Sequence, residues 1–178
     1  YVPLHCHTHF SAMDGIATPE EYAFRANTLE MKAVAMTDHG TLAGHRAMYR
    51  AAKEQGVKPV LGIEGYFAPD SFHKRENATR TEKRDQLYNH IIVLAKNANG
   101  LENLNKINEL AWTEGFYTKP RMDFELLDKY GEDLIVSSAC MGGLINQAIE
   151  QNEYAVAKNH LRWFSQRFGD DFYVELMP

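Results

Sequence analysis

Four short stretches of the chain carry side chains able to grip divalent cations. The first, LHCHTHFSAMDG, places His5 and His7 two residues apart, with Asp14 in the loop that follows. Successive side chains of an extended segment point to opposite faces, so His5 and His7 share one face and Cys6 takes the other. Paired imidazoles suit a borderline ion such as zinc, manganese or iron. An isolated His-x-His is as often packing or solvated surface, and the weight comes from the other stretches. Asp38 and His39 stand in TDHG, Glu64 in GIEGYF, and Cys140 in SSACMGG. Each follows or ends an apolar run that reads as a strand, and in α/β barrels such strand ends converge on one mouth.

The elements needed to position these groups can be read from pattern. Val2–Cys6 reads as a strand, followed by a helix near Thr18, where Thr18 caps, Pro19 opens the helix and Glu20 and Glu21 fill the first turn. Ala33–Thr37 is a short apolar strand, Leu42–Gln55 a helix ending at Gly56, and Val60–Phe67 a third strand. A polar, charge-dense insertion is expected over 69–86. His90–Ala95 (HIIVLA) reads as a buried strand, Leu101–Trp112 as a helix with apolar positions at Leu101, Leu104, Ile107 and Ala111, and Leu134–Ser137 as a fifth strand. Helices over Leu144–Glu150 and Glu153–Phe168 lead to a sixth strand at Phe172–Leu176. Alternating strands and helices predict parallel pairing in an α/β barrel or open sheet. In such a sheet His90, at the start of its strand, falls at the wrong end. Either the strand begins earlier, near Leu87, or a bulge turns the ring inward.

Composition sets the bounds. The 178 residues suit one domain, short for a complete barrel; 44% are hydrophobic and 24% charged, as in a folded soluble protein. A formal net charge of −5 provides no global field for nucleic acid, so any DNA contact must come from local patches or from bound cations. Two cysteines, Cys6 and Cys140, argue against a disulfide scaffold and for a reducing, cytoplasmic setting. No apolar run approaches membrane-spanning length, and no charged leader precedes an apolar stretch. A first residue of tyrosine implies a piece of a longer protein.

In order along the chain, LHxHTxFSxxDG, TDHG and GxE resemble the PHP family, named for polymerase and histidinol phosphatase. EGFYTKPRMD (Glu114–Asp123) and LIVSSACMGG (Leu134–Gly143) resemble the bacterial DNA polymerase III alpha-subunit branch of that family, and the likeness runs on through FYVELMP. The resemblance implies a distorted (β/α)7 TIM-like barrel holding up to three metal ions. It assigns His5, His7 and Glu64 to one ion, with Glu64 bridging to a second held by His90 and Cys140, and Asp14 and His39 to a third. A cysteine at position 140 stands where the family often has histidine, and a thiolate is a softer substitute. The family's closing Asp-x-His pair is expected beyond Pro178, so this chain is expected to lack the last strand.

The activity implied is metal-dependent phosphoester hydrolysis by activated water, in the form of a three-prime to five-prime proofreading exonuclease on DNA within a replicative polymerase. The implied partners are a DNA three-prime end, the rest of the polymerase chain, and a proofreading or clamp subunit. The rival readings are a free-standing small-molecule phosphatase and a non-catalytic docking module. No Ser-His-Asp arrangement, Walker loop or dinucleotide fingerprint points elsewhere. Supporting roles stay open. Asp38 either orients a histidine or caps the next helix; Lys119 and Arg121 either hold substrate phosphates or sit in a solvated loop. Tyr66, Phe67 and Tyr117 either stack a terminal base or pack the core and rim. Lys74, Arg75, Arg80, Lys83 and Arg84 either track DNA or form a solvated loop. His9, His45, His73 and His160 are read as solvated.

Overall fold

The computed structural model describes residues 1–12, 14–73 and 88–177. Most of the insertion expected at 69–86, including all five of its basic residues, lies outside the described residues.

Helix α1 (Pro19–Thr28) begins as its sequence dictates. Thr18 Oγ1 accepts from Glu21 N, and the Glu21 carboxylate accepts from Thr18 N at 2.7 Å, closing a capping box. Strand β1 (Ala33–Met36) and helix α2 (His45–Glu54) follow, and β1 pairs in parallel with the long strand β2 (Lys58–Phe67). Small residues let these layers close tightly. Ala23, Ala26, Met48 and Ala52 of the helices pack on Val34 and Met36.

Strand β3 (Asn89–Ala95) runs antiparallel to β2, with Tyr66 opposite His90, and antiparallel to β5 (Leu134–Ser137) on its other side. Between them in sequence lie α3 (Ala98–Thr113), the two-residue β4 (Arg121–Met122) beside Tyr66 and Phe67, and α4 (Phe124–Tyr130). Helices α5 (Leu144–Glu150) and α6 (Tyr154–Phe168) and a 3-10 turn (Gly169–Asp171) lead to β6 (Phe172–Tyr173), parallel to β5. The sheet order is β1-β2-β3-β5-β6, with β4 against the end of β2. On the helix-covered face, Ile63 and Phe67 of β2, Ile91 and Val93 of β3, and Leu134 and Val136 of β5 join Leu104, Ile107, Leu127 and Phe164 in the main core.

The fold is α/β, but the sheet is mixed, which corrects the expectation of parallel pairing throughout. A parallel neighbour needs a crossover, usually helical, and no helix stands between β2 and β3 among the described residues. The reversal also resolves the placement of His90. Because β3 enters where β2 ends, the first residues of β3 lie at the mouth, and neither an earlier start nor a bulge is needed.

Of the expected strands, the first does not form and the sixth is shorter than its pattern. Residues 2–6 run beside β1 without a regular ladder: Pro3 has no N–H to give, and Cys6 N donates to the Thr37 side chain at 2.9 Å. Pro3 O and Cys6 O still accept from Ala35 N and Thr37 N. The sixth strand stops at Tyr173, and Glu175 N turns to the Ser138 hydroxyl at 3.0 Å. Helix α4 was not apparent from periodicity. Its seven residues offer little pattern, and it is set by Asp123, which accepts from Leu126 N at 3.0 Å and from Phe72 N at 2.9 Å.

Candidate metal centre

Glu64 is the hub. It is 1% exposed, on the face of β2 away from the main core. Its Oε2 lies 3.0 Å from His5 Nε2, 2.9 Å from His7 Nε2 and 3.3 Å from His39 Nδ1. Its Oε1 lies 2.9 Å from His90 Nδ1 and 3.7 Å from Cys140 Sγ, which is itself 3.4 Å from His90 Nδ1. Asp14 Oδ2 stands 3.3 Å from His39 Nε2 and 3.5 Å from His7 Nδ1. All seven residues expected to hold metal therefore converge. Three sets bring their candidate ligand atoms within 4.8 Å of one another: His5, His7 and Glu64; His7, Asp14 and His39; and His39, Glu64 and His90. His7 and His39 each join two sets, so the three positions share more ligands than the sequence reading allotted.

Each element delivers its group for a local reason. His5 and His7 point to one side while Cys6 is buried on the other, so the alternation holds even without a regular strand. Burial, and then the Asp38 charge, push the Cys6 thiol up to about 11, leaving it inert. His39 is followed by Gly40 at φ +64; a Cβ there would come within 2.7 Å of the Tyr66 ring, which stacks on His39 at 5.7 Å. Ahead of Cys140, Ala139 is 1% exposed and held at φ 57, a left-handed conformation that aims the thiol at Glu64.

The electrostatics follow from packing many imidazoles around one carboxylate. Burial alone would raise the Glu64 value, but hydrogen bonds from His5, His7 and His90 hold it far below the usual carboxylate range. Burial opposes charge on His5, yet Glu175 and then Glu64 lift it to about 10; for His90, Cys140 and Glu64 overcome burial and lift it to about 9. Burial pulls His39 below its usual value against the Glu64 attraction, with His7 and His90 adding to the fall. In metal-free protein the raised values of His5 and His90 contribute stability that is fully present below about pH 6.5 and is lost as pH rises through about 9 to 10. Melting temperatures of chelator-treated protein are expected to fall across that alkaline range. A flat profile would contradict the ion-paired arrangement.

Asp38 does neither thing expected of it. It is fully buried, and its oxygens accept from Thr8 N at 2.6 Å and Thr8 Oγ1 at 2.9 Å. Among the described residues its hydrogen bonds run to Thr8 rather than to an imidazole or a helix end, so it pins the backbone beside His7. Asp38→Ala is expected to cost about 2 kcal/mol, because a buried N–H is left unpaired. Urea unfolding would measure this, and an unchanged midpoint would refute it. Arg121 is also corrected. At 1% exposure its guanidinium donates to Gly115 O and Phe72 O, so it braces two loops and is not available to a substrate phosphate. Lys119 is half-buried, with Nζ 4.9 Å from the Tyr66 ring centre, at the rim.

Among the aromatic candidates, Phe67 is core, and Tyr117 lies under the Arg121 guanidinium at 5.4 Å. Only Tyr66 faces the cluster. His45 is a satisfied core residue rather than a solvated one, 8% exposed with Nε2 2.8 Å from Gly62 O. His160 is half-buried, its ring stacked 5.7 Å from Phe124, while His9 and His73 are exposed.

Two polar groups at the site were missed from sequence. Ser11 Oγ lies 3.1 Å from His7 Nδ1 and accepts from His39 N at 2.8 Å. Glu175 Oε1 lies 2.8 Å from His5 Nδ1, and its Oε2 accepts from Ser137 Oγ at 2.9 Å. A lone glutamate 170 positions away carries no local signal; only the fold joins it to His5.

A mixed α/β sheet here gathers imidazoles, carboxylates and a thiol at one mouth, and the family model of the PHP domain matches residues 3–178: the chain belongs to the PHP family. Its curated relatives include DNA polymerase III subunits alpha of Aquifex aeolicus, 44% identical over 99% of this chain, and of Borreliella burgdorferi, at 42%. That of Thermus aquaticus is 39% identical. The chain spans only about 15% of the length of these relatives. Two solved structures overlap about three fifths of it: a proposed metal-dependent phosphoesterase from Bifidobacterium adolescentis (27% identity, 32% of that chain, TM-score 0.42) and an amidohydrolase from Chromobacterium violaceum (24%, 34%, 0.39). Scores this low do not fix the topology. Among the described residues no helix is long and apolar enough to cross a membrane.

Proposed function

We propose that the chain is the PHP domain of a bacterial-type replicative DNA polymerase alpha subunit and acts as a metal-dependent phosphodiesterase that trims DNA from the three-prime end. The observation that carries this reading is the single buried carboxylate of Glu64 ringed by four imidazoles and a thiol. The donors suit cations. His39 Nδ1 is buried and makes no hydrogen bond despite lying 3.3 Å from Glu64, an arrangement costly for a resting protein and natural for a ligand. His5, His7 and Glu64 would hold one ion, His90 and Cys140 with Glu64 a second, and Asp14 and His39 a third, with His7 and His39 able to be shared. Mixed nitrogen, oxygen and sulfur donors fit zinc, manganese or iron. When bound, such ions supply hydroxide at neutral pH and neutralise charge on the phosphoryl oxygens.

The chain's own residues do the rest. Glu64 keeps its negative charge and draws the imidazoles together. Lys119 stands at the rim where a half-buried ammonium can meet a phosphate oxygen, held over the Tyr66 ring at 4.9 Å. Tyr66 is 7% exposed, with His39 stacked on its ring and Lys119 over it, so it steadies those two groups rather than presenting a face to a terminal base. With a formal net charge of −5, affinity for DNA must be local to this mouth. In this reading the sheet belongs to a PHP-type barrel short of its last strand. The domain works in the cytoplasm with the remainder of a polymerase chain and a proofreading or clamp subunit as partners.

The test is a paired assay on metal-loaded full-length protein. Mononucleotides released progressively from the three-prime end of single-stranded DNA, and not from a three-prime-blocked strand, are expected. Free phosphate from monoesters alone would reassign the site to a small-molecule phosphatase. No hydrolysis of either substrate by a protein that binds metal would assign it to docking.

A further inference from the structure

We infer that Glu175 is a positioning residue for this centre, holding His5 in the tautomer that keeps Nε2 free for a cation. The inference rests on the metal reading above and names a residue that reading does not use. Two ends of one ring carry the argument. His5 Nε2 points at Glu64 Oε2, 3.0 Å away, and Nδ1 points at Glu175 Oε1, 2.8 Å away. A carboxylate on Nδ1 makes that nitrogen the N–H donor, so a neutral His5 keeps its lone pair on Nε2, toward the cluster.

Glu175 is not itself placed to bind the ion, because both its oxygens are engaged on the far side of the ring. Oε2 accepts from Ser137 Oγ at 2.9 Å. The segment that carries Glu175 is tied down at three points. Phe172 and Tyr173 pair with Val136 and Ser137, Ser138 N donates to Tyr173 O at 3.1 Å, and Glu175 N donates to Ser138 Oγ at 3.0 Å. The two serines of SSACMGG thus fix the glutamate, while Cys140, two residues further on, reaches Glu64 and His90. One strand end steadies His5 from behind and supplies a donor in front. A carboxylate held this firmly on the outer nitrogen of a ligating imidazole also raises its basicity toward the metal.

The experiment measures zinc affinity of the full-length protein by competition with a chromogenic chelator, alongside unfolding of the metal-free form. Glu175→Gln keeps size and shape but loses the charge, and its amide NH₂ can donate to Nδ1 and favour the wrong tautomer. It is expected to weaken zinc binding about tenfold or more with the metal-free protein still folded. Glu175→Asp should restore part of that loss. In a His5→Ala background the same substitution should change affinity by less than about twofold, because the ring it orients is gone. A folded Glu175→Gln protein that binds zinc like a zinc-binding wild type overturns this inference alone. A wild type that binds no zinc overturns the metal reading with it.

Discussion

Glu64→Gln is expected to empty the two metal positions that share Glu64, leaving at most an ion on His7, Asp14 and His39, and to lower phosphodiester hydrolysis by about three orders of magnitude, in a protein that still folds at neutral pH. The magnitude follows from role. Bound cations contribute several kcal/mol of transition-state stabilisation, and each 1.36 kcal/mol is about tenfold in rate. Glu64 touches every one of the four clustered imidazoles, so no neighbour can replace it. Glutamine fills the same space and can still accept hydrogen bonds, so the fold has no steric reason to fail. The pH response should invert. In the wild type the contributions of His5, at about 10, and His90, at about 9, are fully present below about pH 6.5. The variant would gather charged imidazoles around a neutral amide and should lose stability as pH falls through that value. Metal analysis and melts across pH check both halves; normal metal content in Glu64→Gln would contradict the first.

The second large effect lies three residues along the same strand. Phe67→Ala is expected to cost about 3–5 kcal/mol, a substantial share of the roughly 5–15 kcal/mol by which a domain is stable. Phe67 is fully buried on the opposite face of β2, with Phe124 edge-on at 4.8 Å and Phe164 at 6.0 Å. Glu64 and Tyr66 face the cluster; Ile63 and Phe67 face the helices. Denaturant unfolding should therefore separate the two substitutions cleanly. The Glu64 variant keeps its transition and loses metal, whereas the Phe67 variant keeps its metal ligands and unfolds at a much lower denaturant concentration. A Phe67→Ala protein as stable as wild type would mean the faces of β2 are wrongly assigned.

What could be read in advance was local. The Thr18 cap with acids in the first turn, the apolar period of α3 and the alternation around Cys6 are written in neighbouring residues, and the structure realises each. Six of the seven candidate ligands were also legible as metal-competent side chains at or after strand ends, whereas His90 entered only through the family resemblance. The direction of β3 was not legible. HIIVLA has the same pattern whichever way it runs, and its sense depends on partners tens of residues away. His90 was accordingly placed at the wrong end by pattern and at the mouth by the reversal. Asp38, Arg121 and His45 share a different cause. Their types suggest solvent or substrate, and only burial reveals that each satisfies backbone: Thr8, the loops at Gly115 and Phe72, and Gly62. Glu175 lay beyond any local signal, since its partner sits at the other end of the chain.

The most direct measurement is diffraction from the full-length protein at zinc or manganese absorption edges. Anomalous peaks are expected about 2.0–2.3 Å from His5 Nε2, His7 Nε2 and Glu64 Oε2, and at a second position shared by Glu64 Oε1, His90 and Cys140. A well-ordered cluster that shows no peak after soaking in either metal would contradict the account.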